Sequence, residues 1–241
     1  VTDLHQEDLA LGPLGRAGGK FLAAEIAAGR NKVIGVGHGR TLLACVDRLD
    51  AGPAGDLKVV SLMGALTSGA DLNPHAIVSK LAALTGAEPV SMPVPFIANS
   101  TADRAVLLEQ KAARAAADLA RQADLMIVGI GTTVPEAELV ATGMIEPQEM
   151  AGIARAGGVG EMLGHFFDKR GRPVGREISD RILTQPLDQL SGRRIVAVAG
   201  GTLKTDAIKA ILESGLLSGL IIDEHTARAI VDLDTPAPAQ H

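Results

Sequence analysis

Aromatic residues are scarce in this sequence of 241 residues, which has four Phe and neither Tyr nor Trp. Proteins that bind single-stranded nucleic acid stack the bases on exposed aromatic rings, so the composition argues against that class. The core must be aliphatic, and we expect any ligand to be held by hydrogen bonds and charge. The net charge is -5 and no block of basic residues occurs, which argues against a large nucleic-acid surface on this chain.

Cysteine is nearly absent as well, since Cys45 is the only one. A single cysteine excludes a disulfide within the chain, and its apolar helical surroundings predict a small buried core residue. The six histidines show no metal-ligand spacing, so we predict neither a metal nor a cofactor. No apolar run approaches the roughly 20 residues that span a bilayer, and no signal-peptide pattern is visible. These features favour a cytoplasmic protein without a membrane contact.

Short β-type runs alternate with helical patterns along the chain. Five apolar runs are predicted to be strands, namely residues 32–36, 58–63, 124–129, 194–199 and 219–222. Strands that are apolar throughout, without polar alternation, are typical of a parallel sheet covered on both faces. A proline-containing stretch at 91–96 predicts an extended segment at a sheet edge. The fold class is therefore α/β, with a mainly parallel sheet and helices on both faces.

The sequence predicts three regions along the chain. Residues 1–13 are polar and weakly periodic, which predicts a linker or the truncated start of a longer protein. Residues 14–234 form the predicted binding domain, and residues 235–241, with two prolines, form a predicted disordered tail. The helices predicted inside the domain include residues 14–28, 103–122, 136–141 and 147–155.

Three of the predicted strands end in turns of glycine and threonine, at residues 37–41, 129–133 and 200–202. Ligands of parallel sheets bind at the carboxyl ends of the strands, so three such turns at one edge predict a binding site. The first turn leads into a helix, whose unpaired N–H groups and positive dipole end favour an anion. Taken alone, a strand, glycine turn and helix is also the plainest connection in an α/β protein. No lysine follows this turn, as a Walker motif requires.

Several side chains near these turns are candidates for ligand contact. Arg40 and Thr41 could bind a phosphate through a guanidinium fork and a hydroxyl, or could be a solvated arginine and a helix cap. Lys204 falls in the first turn of a predicted helix, where a cation opposes the dipole, which suggests a role in ligand binding, although it could also be an exposed lysine. Glu161 could accept hydrogen bonds from sugar hydroxyls or could cap a helix.

Two further candidates have equally simple alternatives. His38 could donate to a phosphate or could be a solvated turn residue. Asn73 could reach a ligand, but it stands before Pro74, and this pair is favoured at a helix start. Asp168 is predicted to form a turn. We predict no catalytic residue, and the predicted ligand-binding residues are Gly37, His38, Gly39, Arg40, Thr41, Asn73, Gly131, Thr132, Glu161 and Lys204.

The order of these motifs resembles the sugar-binding, or effector, domain of SorC/DeoR-type bacterial transcriptional regulators. The resemblance is carried by VIGVGHGRTL (33–42), DLMIVGIGT (124–132), GGVGEMLGHFFD (157–168), IVAVAGGTLKTDAI (195–208) and IIDEHTARAI (221–230). It implies the fold of ribose-5-phosphate isomerase, glucosamine-6-phosphate deaminase and CoA transferases. It also implies a phosphorylated sugar or polyol as effector, with the phosphate at residues 37–41 and with Glu161 and Lys204 facing the sugar.

The resemblance further implies a homodimer or homotetramer, and operator DNA bound by an N-terminal helix-turn-helix domain. This sequence contains no such domain, so we expect either a fragment or a protein that has lost it. The alternative is a sugar-phosphate isomerase or deaminase on the same scaffold, which needs a positioned base. The isomerase pattern Asp-Gly-Ala-Asp-Glu keeps one acid here, in SGADL at 68–72, and Thr132-Thr133-Val134 replaces the deaminase pattern Asp-Gly-His. We therefore predict a sensor and no enzyme.

Overall fold

The computed structural model describes the backbone of residues 4–65 and 73–234. Its strands in chain order are β1 (Val33–Val36), β2 (Lys58–Ser61), β3 (Glu88–Val90), β4 (Leu125–Val128), β5 (Gly131–Thr132), β6 (Gly158–Met162), β7 (His165–Asp168), β8 (Pro173–Val174), β9 (Ile195–Val198) and β10 (Gly219–Ile221). Its helices are α1 (Leu4–Ala27), α2 (Arg40–Asp47), α3 (Pro74–Thr85), α4 (Thr101–Glu109), α5 (Lys111–Arg121), α6 (Glu138–Ala141), α7 (Pro147–Arg155), α8 (Arg176–Ser179), α9 (Thr205–Glu213) and α10 (Glu224–Asp234).

Six strands form a sheet in the order β10-β9-β4-β1-β2-β3, and every neighbouring pair is parallel. Successive side chains of a strand point to opposite faces, so each strand contributes to two cores. Ile34 and Val36 pack in the core that contains residues of α1, α2 and α3, whereas Val33 packs in the core on the other face, with α5, α7 and α9. The predicted parallel sheet, covered by helices on both faces, is confirmed.

A second sheet, which was not predicted, has the antiparallel order β5-β6-β7-β8. The sequence analysis does not predict these strands, because two of them have only two residues and β6 has the sequence GVGEM. Glycines carry no side chain, so they leave no apolar alternation to recognise. The hairpin of β6 and β7 packs against α9, and this contact places β6 beside the carboxyl end of the parallel sheet.

The first helix begins at Leu4, well before residue 14, so it extends into the region predicted to be a linker or the truncated start of a longer protein. Leu9, Ala10 and Leu11 are strong helix formers, and they continue the helix through Pro13. Cys45 on α2 is fully buried beneath this helix, as predicted, and burial raises the pKa of its thiol to about 12.

Two other predictions differ from the structure in detail. The predicted helix over residues 103–122 is divided into α4 and α5, because Gln110 between them has an extended ψ of 133°. No glycine or proline marks this break in the sequence. The edge strand is β3, with Pro89 at its centre, and it lies just before the predicted segment 91–96. Proline is tolerated there because an edge strand pairs on one side only.

Some predictions fall on residues outside the described ranges. The isomerase-like segment 68–72 and the predicted tail 235–241 belong to this group. Within residues 4–65 and 73–234, no helix is long and apolar enough to cross a membrane.

Candidate functional site

A cavity of about 730 Å³ opens at the carboxyl ends of β1, β4 and β9, where the three glycine turns meet. Nine of the ten predicted ligand-binding residues line it, with only Asn73 outside. The parallel sheet accounts for this convergence, because its strands all end at the same edge. The remaining lining residues include Leu11, Leu14, Val134, Glu136, Glu138, Thr142, Leu163 and Leu203.

The first turn joins β1 to α2 at the cavity wall. The Gly37 N–H donates to the Ile127 carbonyl of β4 at 2.9 Å, which ties the turn to the neighbouring strand. Gly39 is the N-cap of α2 and has a φ of 112°, a conformation that residues with a side chain rarely adopt. The helix therefore begins at Arg40, and its positive end faces the cavity.

Arg40 forms an ion pair across the cavity with Glu138, the first residue of α6. The Arg40 Nε and Glu138 Oε2 atoms are 3.3 Å apart, and the two side chains are 37% and 23% exposed. Glu138 is not among the predicted site residues, because the sequence predicts only a short helix over residues 136–141. The sequence does contain a feature that could have identified Glu138. It closely follows the second glycine turn, and that turn lies at the same edge of the sheet as the turn that contains Arg40.

Glu161 lies in β6, so the alternative that it caps a helix is wrong. It pairs directly with Gly131 of β5, and a Cβ placed on Gly131 would lie 2.6 Å from Glu161 Oε2. The glycine therefore leaves the space that the carboxyl group occupies. Glu161 Oε1 accepts a hydrogen bond of 2.6 Å from the Gly164 N–H, which joins the carboxyl group to the hairpin turn between β6 and β7.

The environment of Glu161 favours its neutral form. The residue is 3% exposed, and burial raises the pKa of its carboxyl group above the usual range. Nearby His38 and Lys204 and the hydrogen bond from the Gly164 N–H lower this pKa, whereas Glu138 raises it further. A protonated carboxyl group can donate a hydrogen bond to a ligand oxygen as well as accept one.

Leu163 is a lining residue with an uncommon backbone. Its φ is 53°, and Gly164 after it has a φ of 78°, so both residues of this two-residue hairpin turn are left-handed. Leucine rarely adopts this conformation, and strained residues of this kind cluster at ligand sites. The sequence does not predict this conformation of Leu163, because Met162-Leu163-Gly164 is equally compatible with an ordinary apolar pair before a glycine.

Lys204 lines the cavity from the third turn. It ends a short 3-10 helix, Thr202–Lys204, and stands just before α9, so it is the N-cap and not a residue of the first α-helical turn. Its Nζ donates to the Ile130 carbonyl at 3.3 Å, which holds the ammonium group at the second glycine turn. The neighbouring Leu203 is 65% exposed and also lines the cavity.

Asn73 and Asp168 have structural roles, at a helix start and in a turn. Asn73 is the N-cap of α3, where its Oδ1 accepts a hydrogen bond from the His75 N–H at 3.0 Å. Asp168 holds the turn after β7, since its Oδ1 accepts the N–H groups of Arg170 and Arg172, both at 2.9 Å. In both residues a side-chain oxygen accepts hydrogen bonds from backbone N–H groups, which explains why Asn and Asp are common at helix starts and in turns.

The described side chains contain no group of three or more His, Cys, Asp or Glu residues arranged to hold a metal ion. The cavity instead combines two cations, several carboxyl groups, threonine hydroxyls and apolar side chains at the rim. Cations suit an anionic group, and carboxyl and hydroxyl groups suit the hydroxyls of a sugar or polyol. Such a mixture is typical of a small-molecule binding site.

Known proteins are similar to this chain over almost its whole length. Residues 1–232 match the family described as "Putative sugar-binding domain". The erythritol catabolism regulatory protein EryD of Brucella abortus (strain 2308) is 47% identical over 231 residues, which are 96% of this chain and 73% of that protein. The transcriptional regulator LsrR of Enterobacter sp. (strain 638) is 33% identical over 208 residues, which are 84% of this chain but only 62% of LsrR.

Solved structures show the same fold. A DeoR family transcriptional regulator from Listeria monocytogenes has a TM-score of 0.85 at 22% identity, over 95% of this chain and 90% of that chain. The full-length sorbitol operon regulator SorC from Klebsiella pneumoniae has a TM-score of 0.82 at 18% identity, over 93% of this chain and 74% of SorC. The family match and the similar regulators define a sugar-binding domain of a transcriptional regulator. The chain belongs to the sugar-binding domain family of SorC/DeoR-type transcriptional regulators.

Proposed function

We propose that this chain is the effector-binding and oligomerisation domain of a sugar-responsive regulator in the bacterial cytoplasm. A phosphorylated sugar or polyol binds in the cavity and changes the affinity for operator DNA of an N-terminal helix-turn-helix domain in the whole protein. The effector acts by binding one state of a homodimer or homotetramer more tightly than another. The domain performs no chemistry on the effector.

The observation that carries this proposal is the position of Arg40, Lys204 and Glu161 around one cavity. Arg40 begins α2, so its guanidinium group and the positive end of that helix favour a phosphate at this end of the cavity. Glu161 lies on β6 and Lys204 before α9, and they provide polar contacts for the hydroxyl groups of the remaining part of the ligand.

The names of the relatives guide the choice of ligands. EryD is named for erythritol catabolism, and it is 47% identical to this chain. Erythritol and its phosphate esters therefore come first in a screen, followed by pairs of other polyols and sugars with and without a phosphate group. Each pair isolates the contribution of the phosphate from that of the hydroxyl groups.

The test is a thermal-shift screen of the purified chain. A ligand that binds only the native state, at a concentration of 100 times its Kd, adds about 2.7 kcal/mol to the free energy of unfolding. For a domain of this size we expect the melting temperature to rise by about 5–10 °C. Either Arg40→Ala or Lys204→Ala should abolish the shift, while the melting temperature without ligand stays close to that of the wild type.

The matched controls are Arg228→Ala and Lys80→Ala, which remove the same charges from exposed helical positions outside the cavity. Both controls should keep the full ligand-induced shift. The proposal fails if no sugar, polyol or phosphate ester stabilises the wild-type chain. Its phosphate requirement fails if the unphosphorylated member of each pair stabilises the chain equally well.

A second candidate function has one observation in its favour. Burial raises the pKa of the Glu161 carboxyl group in the cavity, and shifted carboxyl groups are also used for acid–base catalysis. An isomerase or deaminase would turn over a sugar phosphate in the absence of DNA. Incubation of the chain with each stabilising ligand, followed by NMR of the ligand, distinguishes the two functions, because steady conversion identifies an enzyme and Glu161→Gln would stop it.

A further inference from the structure

Glu138 lies where the phosphate of the effector is expected. One carboxylate oxygen, Oε2, is 3.3 Å from the Arg40 Nε atom. The other oxygen, Oε1, would be 3.3 Å from a Cβ placed on Gly39, the N-cap of α2. The carboxylate therefore contacts the guanidinium group and lies close to Gly39 at the start of the helix. The guanidinium group and the helix start are the two features that attract an anion to this end of the cavity.

The contact between Arg40 and Glu138 is weak enough to be exchanged for another anion. A distance of 3.3 Å is longer than the usual 2.7–2.9 Å of a charge-assisted hydrogen bond. Both side chains are partly exposed, and ion pairs of this kind contribute little to stability. A phosphate offers three oxygens and up to two negative charges, so it competes well for the same guanidinium group.

We propose that Glu138 is an internal competitor for the anion site and thereby a determinant of effector specificity. In the domain without effector its carboxylate neutralises Arg40, and a ligand reaches the start of α2 only if its own anionic group displaces that carboxylate. Weak or singly charged anions are discriminated against, and the affinity for a phosphate ester is lower than Arg40 alone would give. This inference rests on the proposed function, since it concerns the same cavity.

Inorganic phosphate is the probe that tests this directly, because it carries the charge without the sugar. Titration calorimetry compares the wild-type chain with Glu138→Gln, which removes the charge and preserves the shape of the side chain. We expect Glu138→Gln to bind phosphate about tenfold more tightly, since the competing carboxylate is gone. Arg40→Ala in the same background should remove this gain.

Glu224→Gln is the matched control, because Glu224 also forms an ion pair with an arginine, Arg228, but does not line the cavity. It removes an equal charge from the chain and should leave phosphate binding within about twofold of the wild type. Glu138→Ala provides a second variant in case glutamine keeps a neutral hydrogen bond to Arg40, and its gain should be at least as large. Melting temperatures without phosphate verify that each variant is folded.

Three outcomes overturn the inference. Phosphate affinity that is unchanged or lower in both Glu138 variants would show that the carboxylate does not compete. An equal gain in Glu224→Gln would assign the effect to the total charge of the chain. A gain that survives Arg40→Ala would place the anion elsewhere. If the Glu138 variants gain phosphate binding while no phosphate ester stabilises the wild type, the inference stands and the phosphate requirement of the proposed function falls.

Discussion

The two edges of the parallel sheet each carry a glutamate paired with an arginine, and the two pairs are built differently. At the amino ends of the strands, Glu25 receives two hydrogen bonds from Arg194, at 2.8 and 2.6 Å, and one from Asn31 at 2.9 Å. At the carboxyl ends, Glu138 makes one contact of 3.3 Å with Arg40 beside an open cavity.

This difference distinguishes a pair that stabilises the fold from a pair that remains available to a ligand. Glu25 is 6% exposed and joins α1 to the start of β9, so its donors replace the water that burial removes. The pKa of its carboxyl group is lowered to about 2, because the Arg194 hydrogen bond outweighs burial. Glu138 has no comparable set of fixed donors among its described contacts, and its partner faces the cavity.

The largest effect we expect is the loss of stability in Glu25→Ala. Removing this carboxylate leaves Asn31 and Arg194 without their acceptor, which should lower the free energy of unfolding by about 3 kcal/mol. Glu138→Ala should lower it by less than about 1 kcal/mol, because its pair is exposed and weak. Urea denaturation at neutral pH measures both values.

Glu224→Ala serves as the reference for an exposed pair, since Glu224 and Arg228 are 78% and 75% exposed on α10. Its free energy of unfolding should stay near that of the wild type. If Glu138→Ala destabilises the chain as much as Glu25→Ala does, the distinction between a structural pair and an exchangeable pair is wrong.

The next effect is the pH dependence that Glu25 confers. Its pKa falls from an ordinary value of 4.5 in the unfolded chain to about 2 in the folded domain. The folded state therefore binds this proton more weakly, so the stabilisation is complete above about pH 5 and is lost as the pH falls toward 2. The difference in free energy of unfolding between wild type and Glu25→Gln should shrink by about 2 kcal/mol from neutral pH to about pH 2.5. This value is smaller than the pKa shift alone would give, because Arg194 is partly exposed and solvent weakens its interaction with Glu25.

A constant difference across this pH range would contradict the assignment, because it would mean that Glu25 titrates alike in both states. Circular dichroism at each pH checks that both proteins are folded before denaturant is added.

The smallest effect we expect is the opposite pH dependence at Glu161. Burial raises the pKa of this carboxyl group, so the folded domain binds the proton more tightly than the unfolded chain does. Its contribution is therefore full at low pH and is lost as the pH rises through the raised pKa. The stability of Glu161→Gln relative to wild type should increase from pH 4 to pH 8. Nearby His38 and Lys204 offset part of the cost of ionising Glu161, which limits the size of the change.

Thermal denaturation of both proteins over this range provides the measurement. A relative stability that decreases with pH would show that the ionised carboxylate is the favoured form, and the cavity would then present a fixed negative charge to its ligand.

Much of the fold was accessible from local sequence patterns. Apolar runs of four to six residues predicted five of the six parallel strands, because a strand buried on both faces has no polar alternation. The antiparallel sheet was missed because β6 is rich in glycine and its partners are short. The break at Gln110 was missed because no glycine or proline interrupts that helical sequence.

The candidate site divides in the same way between what the sequence determined and what only the tertiary structure decided. The sequence alone determined the parallel sheet and the three glycine turns at its carboxyl edge, because strand order along the chain and backbone freedom are local properties. Only the tertiary structure paired Arg40 with Glu138, 98 positions apart, and placed Gly131 opposite Glu161. Those contacts depend on the register of β5 with β6 and on the position of α6 over the cavity, which no local pattern encodes.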